Sequence, residues 1–213
     1  MPPIYPNSVL KNYIITANKF LLESKNMVKL NKLYNIQISK RSIAIMDTSL
    51  DPIVALKSDH EAVRAVLNNL DGYLKKIGSV SSNGLRNNLI NQLNEITAFI
   101  DKDLEIHFKK EENALFPILG NYIGTETGHI HVMLIEHAQS RELSLEFKSK
   151  IKNYPDSNDY NPIVNIGNAF VKLLSEHIDK EEQILFNMAD IQLSREEKHG
   201  IMEKFLIITS QAV

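Results

Sequence analysis

The feature that most constrains this chain is a set of ionisable residues on helical stripes that are otherwise apolar. Between residues 51 and 188, apolar side chains recur every three or four residues, which is the period of a helix with one buried face. Burying a charged group without a partner costs several kcal/mol, so such positions call for a shared partner. The residues that interrupt the stripes are His60, His107, Glu111, His137, His177 and Glu181.

The beginnings and ends of the helices can be predicted from local signals. Asp51 followed by Pro52 predicts an N-cap and a first helical residue, because a missing N–H is harmless at that position. The Ser, Gly and Asn residues of 78–84 predict a turn, and Pro117 predicts the end of the second helix. We expect a third helix after the glycine-rich stretch 120–128, with apolar positions that include Leu134 and Leu145.

Two further signals complete the helical pattern. The stretch 153–162 is rich in Asn, Asp, Ser and Pro and predicts a loop before a fourth helix. Ser194 with Glu197 three residues later predicts a capping box for a short fifth helix that ends near Ile208. No segment shows the sustained alternation of a β-strand.

These elements predict an all-α fold, an antiparallel up-down-up-down four-helix bundle with a short C-terminal helix. Four helices of similar length with short connections favour that topology. We expect two parts, an N-terminal helical extension at 1–47 and the bundle at 48–213. A chain of 213 residues has room for one well-filled core and an appendage.

Composition excludes several classes of function. The chain has no cysteine, so any metal must bind through His, Asp or Glu. A formal net charge of -2 gives no global attraction to nucleic acid. No stretch approaches the ~18 continuous apolar residues of a membrane span. We therefore expect a soluble, cytoplasmic protein with neither nucleic acid nor a membrane as its partner.

The ionisable residues belong to an internal duplication of a helix pair. The first and third helices carry an acidic residue, a His and an Arg, and the second and fourth carry His-x-x-x-Glu-Glu-x-x-Leu-Phe. In antiparallel packing all four histidines reach one level of the bundle, and a His and a Glu four residues apart lie on nearly the same face. The pattern therefore predicts a dinuclear metal site made by the six residues named above.

The residues beside these six allow two interpretations. Asp59, Glu112, Glu136 and Glu182 could orient the ligands as outer partners. The favoured alternative is that they are solvated, because the next residue on a helix faces ~100° away. For Arg64 and Arg141 two roles are equally favoured: each could line an access path to the site or pair with a neighbouring carboxylate. His129 and His131 are expected to be surface or cap residues, and nothing in the sequence assigns chemistry to His199 on the terminal helix.

The phrases DPIVALKSDHEAVR, HFKKEENALFPIL, VMLIEHAQSRE and HIDKEEQILFNMA resemble the hemerythrin, or HHE cation-binding, family over about residues 51–205. The resemblance implies that the four histidines are terminal ligands and that Glu111 and Glu181 bridge two non-haem iron ions (Fe²⁺/Fe³⁺), with an oxo or hydroxo bridge between them.

The resemblance also has departures that bear on function. Oxygen carriers of the family have a fifth His on the third helix, whereas this chain has Met133 and Arg141 at the two candidate positions. Each iron would then keep one open position. That arrangement resembles a non-carrier branch tied to oxidative and nitrosative stress and to repair of damaged iron centres. Members of that branch commonly carry an N-terminal cysteine-containing segment; this chain has no cysteine, which argues against direct thiol-dependent repair.

Three functions follow from this pattern. The leading one is a redox-active di-iron protein that binds or reacts with O2, peroxide or nitric oxide. The second is an oxygen- or iron-sensing binding module that acts through residues 1–47 on a protein partner or in a homodimer. The third is iron storage or delivery. Manganese and zinc remain alternatives to iron, and enzymatic turnover is left open.

Overall fold

The computed structural model describes residues 51–80, 82–157 and 159–211, and every regular element in these ranges is a helix. The predicted all-α class is therefore confirmed for this part of the chain, whereas the predicted extension at 1–47 lies outside the described residues. In chain order the elements are α1 (Pro52–Ile77), α2 (Asn83–Phe99), π1 (Ile100–Leu104), α3 (Glu105–Lys110), π2 (Glu111–Leu115), α4 (Phe116–Ile123), α5 (His129–Ser157), α6 (Asn161–Lys180), π3 (Glu181–Leu185), α7 (Phe186–Gln192) and α8 (Arg195–Gln211).

Several of these elements follow one another without a break. The segments from α2 to α4 form a second long helix over 83–123, and those from α6 to α7 form a fourth over 161–192. With α1 as the first and α5 as the third, four long helices result. α1 packs against α2 and α6, α5 packs against the same two helices, and α8 contacts α1, α3 and π2.

The apolar core is divided into two clusters along the long helices. One cluster contains Val63 and Leu67 of α1 together with residues of α2, α5 and α6. The other contains Ile53 and Leu56 of α1 together with residues of α4, α7 and α8. His60 lies between the two clusters on the same stripe of α1. The ionisable residues are thus enclosed by apolar packing on both sides.

Two predicted helix starts are confirmed. The Asp51 side chain accepts a hydrogen bond from the backbone N–H of Ile53 at 2.8 Å, with Pro52 at the first helical position. The capping box at α8 is also present, because Glu197 N donates to Ser194 Oγ at 3.2 Å and Ser194 N donates to Glu197 Oε2 at 2.8 Å.

Two predicted helix ends were wrong. The second long helix continues past Pro117, which is the second residue of α4, where a missing N–H is tolerated; the helix ends at Gly124, with φ of 79°. The predicted loop at 153–162 is shorter, because α5 extends to Ser157. Tyr154 is only 6% exposed, so packing of its ring holds this last part of α5 in helical form.

The predicted buried stripe of α5 was wrong in two places. Leu134 and Leu145 are 37% and 65% exposed, whereas Ser140 and Ser144 are 1% and 4% exposed. Ser140 and Ser144 lie three and seven residues after His137, so helical geometry puts them on its face. Ser140 and Ser144 therefore lie on the buried face of α5, whereas the apolar pattern had placed that face at Leu134 and Leu145.

Candidate metal centre

The six residues predicted as ligands come together between the two apolar clusters. One histidine comes from each long helix, and the second and fourth long helices each add a glutamate four residues later. All six are at most 2% exposed: His60, His107, Glu111, His137, His177 and Glu181. The structure thus gathers every predicted site residue into one buried cluster.

Each imidazole turns its Nε2 atom toward one of the two central carboxylates. The distances to the nearest Oε2 atom are 3.2 Å from His60 and 3.4 Å from His177 to Glu181, and 3.4 Å from both His107 and His137 to Glu111. Nε2 of a neutral imidazole is a common metal-binding atom. The four nitrogens and the carboxylate oxygens therefore face the same space.

This space divides into two groups of four candidate ligands. His60 and His107 form one group with Glu111 and Glu181, and His137 and His177 form the other with the same two glutamates. Within each group, one ligand atom per residue lies within 4.8 Å of the others. Because both carboxylates belong to both groups, the geometry fits two metal ions that share two bridging ligands.

Hydrogen bonding within the cluster is incomplete in a way that fits metal ions. Both carboxylate oxygens of Glu111, both of Glu181 and Nε2 of His60 are buried without a hydrogen-bond partner. Buried polar atoms are nearly always hydrogen-bonded, so an unpartnered set of this size calls for another partner. Two cations between these atoms would satisfy them all.

The pKa values of the clustered residues also favour bound metal ions. Burial and the neighbouring Glu181 carboxylate raise the pKa of Glu111 well above its ordinary value. Burial lowers the pKa of His107 to about 4 and also lowers that of His137. Neutral imidazoles are ready to bind metal at neutral pH, and a cation is needed to ionise both carboxyl groups together.

The outer nitrogen of each histidine, Nδ1, contacts a carboxylate from the preceding helix around the cluster. The pairs are Asp59 with His107 (3.4 Å), Glu112 with His137 (2.7 Å), Glu136 with His177 (3.0 Å) and Glu182 with His60 (2.9 Å). Each long helix thus supplies the carboxylate that orients the histidine of the next long helix. The fourth helix supplies it to the first, so the four contacts form a closed ring. Such contacts fix the tautomer that leaves Nε2 free for metal.

Each of these four carboxylates is held in turn by a cation. Lys110 donates to Asp59, Lys180 to Glu136, Arg141 to Glu112, and Arg64 forms an ion pair with Glu182. Arg64 and Arg141 each lie four residues after a cluster histidine, His60 or His137. Lys110 and Lys180 each lie three residues after His107 or His177. The duplication therefore extends from the six candidate ligands to eight further residues that surround them.

These pairs determine the charge of the outer carboxylates. Burial alone would raise the pKa of Glu112, but hydrogen bonds from His137 and Arg141 lower it to about 2. The pKa values of Asp59 and Glu136 are also lowered, because bonds to a histidine and a lysine outweigh burial. All three are ionised at neutral pH and act as acceptors for the Nδ1 protons.

The favoured interpretation of these carboxylates as solvated residues was therefore wrong. A residue next to one that points into the cluster does face ~100° away from it. Where another helix packs alongside, that direction points toward the neighbouring helix and not into solvent. Glu112 and Glu182 are 20% and 30% exposed at their side chains, and each contacts a histidine of the cluster. The repetition of an acidic residue at the same place in both halves was the signal that could have identified them.

The backbone changes form where each central glutamate stands. π2 begins at Glu111 and π3 begins at Glu181, so both halves of the duplication switch from α to π geometry at the same residue. Single π turns inside α-helices often occur at functional sites. The apolar periodicity predicts uninterrupted helices here and gives no sign of either turn.

The remaining histidines lie apart from the cluster. His129 and His131 are exposed, as predicted. His199 is also exposed and lies 3.7 Å from Glu203 on its own helix. No helix among the described residues has the length and hydropathy that crossing a bilayer requires.

Comparison with known proteins agrees with this geometry. The model of the hemerythrin HHE cation-binding domain matches residues 51–189, which include all six clustered residues. The iron-sulfur cluster repair protein YtfE of Salmonella schwarzengrund (strain CVM19633) is 34% identical over 95 residues, 42% of this chain and 43% of that relative. The alignment thus spans less than half of the relative's length. The chain belongs to the hemerythrin HHE cation-binding domain family.

Proposed function

We propose that this chain is a non-haem di-iron protein that binds or reacts with O2, peroxide or nitric oxide. One iron would be held by His60 and His107 and the other by His137 and His177. Glu111 and Glu181 would bridge the two ions. The observation that carries the proposal is the pair of buried carboxylates that belong to both ligand groups and have no hydrogen-bond partner.

Iron is the metal that the ligand chemistry favours. A set of four imidazoles and two carboxylates is too rich in nitrogen for magnesium or calcium, and the chain has no cysteine to supply a thiolate. Manganese and zinc accept similar ligands and are the alternatives that metal analysis tests. Membership of the HHE cation-binding family supports a metal centre and leaves the choice of metal to that measurement.

We further propose that the four long helices form an antiparallel up-down-up-down bundle around this site. The first and third helices each pack against the second and fourth, which is the contact pattern of such a bundle. The chain of carboxylate contacts that passes from helix to helix supports the same arrangement. The division at residue 48 remains a prediction, since residues 1–50 lie outside the described part.

Two bound irons would supply exchangeable electrons for the reaction with a small molecule. The protein's own residues hold the ligands in place and keep water out. Phe108 stacks on the His137 ring with centroids 3.9 Å apart, and Phe186 stacks on the His60 ring at 5.2 Å. These rings cover one imidazole in each half and are themselves at most 2% exposed.

The first experiment is metal analysis of the full chain after aerobic purification, together with its optical spectrum. We expect about two irons per chain and absorption bands that change when the reduced protein meets oxygen, peroxide or nitric oxide. His137→Ala should lower the iron content because it removes a ligand. His199→Ala, which removes an exposed histidine, should leave the iron content unchanged and is the matched control.

A folded protein that takes up no iron during anaerobic reconstitution would contradict the proposal. Stoichiometric manganese or zinc with no iron would contradict the choice of metal and preserve the dinuclear site. Iron that binds in full but gives no spectral response to any of the three molecules would favour storage or delivery instead.

Repair of iron centres is a second function that one observation favours. The relative of which 43% aligns with this chain is named an iron-sulfur cluster repair protein. Because this chain has no cysteine, it would have to act through the di-iron site without a thiolate of its own. The test is reactivation of a hydratase whose [4Fe–4S] cluster has been damaged by peroxide. We expect the iron-loaded chain to restore activity and its His137→Ala variant to fail.

A further inference from the structure

The two halves of the cluster share their central residues but differ in the contacts that orient their histidines. The first position is the group of His60 and His107 with the two central glutamates, and the second position is the group of His137 and His177 with the same glutamates. Because both positions use the same two carboxylates, a difference in metal affinity between them arises mainly from the histidines and their surroundings. The internal duplication supplies an equivalent for each of those surroundings.

The acidic residue that precedes a cluster histidine differs in length between the halves. Asp59 lies 3.4 Å from Nδ1 of His107, whereas its equivalent Glu136 lies 3.0 Å from Nδ1 of His177. Aspartate is one methylene group shorter than glutamate, so from the same place on its helix it reaches less far toward the next helix. Hydrogen bonds from nitrogen to oxygen usually measure about 2.7–3.2 Å. The outer contact of His107 is therefore longer than a good hydrogen bond, and that of His177 is not.

The glutamates that orient the other two histidines show the same order. Glu112 lies 2.7 Å from Nδ1 of His137 in the second position, and its equivalent Glu182 lies 2.9 Å from Nδ1 of His60 in the first. Both outer contacts of the second position are thus shorter than the equivalent contacts of the first. A stronger contact at Nδ1 fixes the imidazole more firmly and makes Nε2 a better donor to a metal ion.

The arginines that hold these two glutamates differ as well. Arg141 donates to both carboxylate oxygens of Glu112, at 2.9 and 3.1 Å. Its equivalent Arg64 lies 3.4 Å from Glu182 and donates at 2.9 Å to Asp179 instead. A pair of parallel bonds from a guanidinium fixes the orientation of a carboxylate, which a single longer ion pair does not. Glu112 is therefore held in place more firmly than Glu182.

Exposure of the outer carboxylates follows the same division. The side chains that serve the second position are 20% exposed at Glu112 and 11% exposed at Glu136, whereas those that serve the first are both 30% exposed, at Glu182 and at Asp59. Water screens a polar contact less when its partners are less exposed. The contacts of the second position are therefore the stronger ones on this ground too.

Ring stacking adds a further difference. The imidazole of His137 is nearly parallel to two phenylalanine rings, Phe108 at 3.9 Å and Phe116 at 5.8 Å. His60 is nearly parallel to Phe186 at 5.2 Å, which is the equivalent of Phe116. The equivalent of Phe108 is an isoleucine. An imidazole packed against two rings has less freedom to lose when it binds a metal ion, which favours binding.

The lysines show the opposite order. Lys110 is 13% exposed at its side chain and Lys180 is 41% exposed. The reason is that α8 covers Lys110, whose Nζ lies 5.8 Å from the centroid of the Phe205 ring. A lysine acts on the imidazole only through the carboxylate between them. The distance from that carboxylate to the imidazole therefore decides, and it is longer at Asp59.

We propose that the two positions fill in order, the second position binding its metal ion first and more tightly, and that Asp59 is the positioning residue that keeps the first position weaker. This inference rests on the proposed function, because it describes how that centre is filled. It implies a stable form of the protein that holds one ion at His137 and His177. The first position is then the one that exchanges its ion.

The first test follows the order of filling without redox chemistry. Zinc, which has no redox chemistry, is titrated into the metal-free full chain while the side-chain nitrogen signals of the histidines are recorded by NMR. We expect the signals of His137 and His177 to change with the first equivalent of zinc, and those of His60 and His107 with the second. Simultaneous changes at all four histidines, the reverse order, or no change with either zinc or ferrous iron would overturn the proposal.

The second test lengthens the side chain at residue 59. Asp59→Glu gives the first position the residue that the second position has, and should tighten the weaker of the two dissociation constants about 10-fold, the lower end of the effect of an outer partner. The tighter constant should not change. Asp103→Glu, the same substitution at an exposed residue of π1, should leave both constants unchanged. Competition with a chelator of known affinity measures both constants, and an unchanged weaker constant in folded Asp59→Glu would contradict the role of Asp59.

The reciprocal variant adds no volume and so keeps the test sharp if the longer side chain disturbs folding. Glu136→Asp should weaken the tighter constant about 10-fold and bring the changes at His177 closer to those at His107 in the zinc titration. Glu142→Asp, an exposed substitution on the same helix, is its control. A folded Glu136→Asp protein with the order and constants of the wild type would contradict the proposal.

The outcomes separate this inference from the proposed function. A chain that fills with zinc in the expected order but takes up no iron would support ordered filling and contradict the di-iron proposal. A chain that binds two irons with one common affinity, and whose four histidines change together, would support the di-iron proposal and contradict ordered filling.

Discussion

Removal of the Glu112 side chain tests whether the outer carboxylates control metal affinity. Glu112 accepts from Nδ1 of His137 at 2.7 Å and is held by Arg141. In Glu112→Ala the His137 ring loses the contact that fixes its tautomer and orientation, whereas Arg141 keeps its pair with Glu105. The loss should therefore fall on the candidate ligand His137 and leave the rest of the outer network in place.

The expected size follows from the geometry. Loss of such an outer partner typically weakens metal affinity about 10- to 100-fold, which corresponds to about 1.4–2.8 kcal/mol. The upper part of this range applies here, because the Glu112 side chain is only 20% exposed and its bond is charge-assisted. Glu112→Gln keeps an acceptor but loses the charge, so it should give an intermediate decrease.

The assay is anaerobic titration with ferrous iron against a chelator of known affinity. Glu112→Ala should weaken one of the two ions, and Glu182→Ala should weaken the other by a similar factor, because Glu182 orients His60. Glu142→Ala, which changes an exposed acidic residue on α5, is the control. Wild-type affinity for both ions in a folded Glu112→Ala protein would refute the reasoning.

Three further predictions address packing, protons and capping. Gly167→Ala should lower the free energy of unfolding by about 1–3 kcal/mol in chemical denaturation, although alanine favours helices. The reason is that a Cβ at this position would lie 2.6 Å from Leu74 Cδ1. Unchanged or higher stability would contradict this prediction. Ferrous binding near neutral pH should release protons and strengthen as pH rises, because the raised pKa of Glu111 keeps a proton there until the cation displaces it; calorimetry in buffers of different ionisation enthalpy measures the release, and a value of zero would disprove it. Ser194→Ala should lower the free energy of unfolding by about 1 kcal/mol, since it removes an N-cap, whereas exposed Ser149→Ala should have little effect.

Helix positions and the six clustered residues were predictable because both depend on spacing along one helix. His60 and its partners interrupt an apolar stripe, and that interruption is visible without any knowledge of neighbouring helices. The contacts of Asp59 and Glu112 were not predictable in the same way. Their roles depend on how one helix faces the next, and the period of a single helix does not contain that information.

The π turns and the buried serines show a second limit. A π turn shifts the register of a helix by one residue, so a fixed helical period assigns the wrong face to some residues beyond it. On α5 the leucines at 134 and 145 fit the apolar pattern, yet Ser140 and Ser144 occupy the buried face. Side-chain polarity favours a leucine over a serine as a buried residue. Only the spacing of three and seven residues from His137 indicated that the serines lie on the buried face.

The closed sequence of carboxylate contacts has a consequence for how fast metal can leave. Every long helix both supplies a candidate ligand histidine and orients that of the next helix, and all six residues of the cluster are at most 2% exposed. An ion bound in this cluster would therefore leave during a local opening of the bundle, and an opening that also unwinds a helical turn exposes backbone amides. Metal dissociation and hydrogen exchange of those amides should share one activation barrier, so the centre would exchange its ions on the timescale of local unfolding.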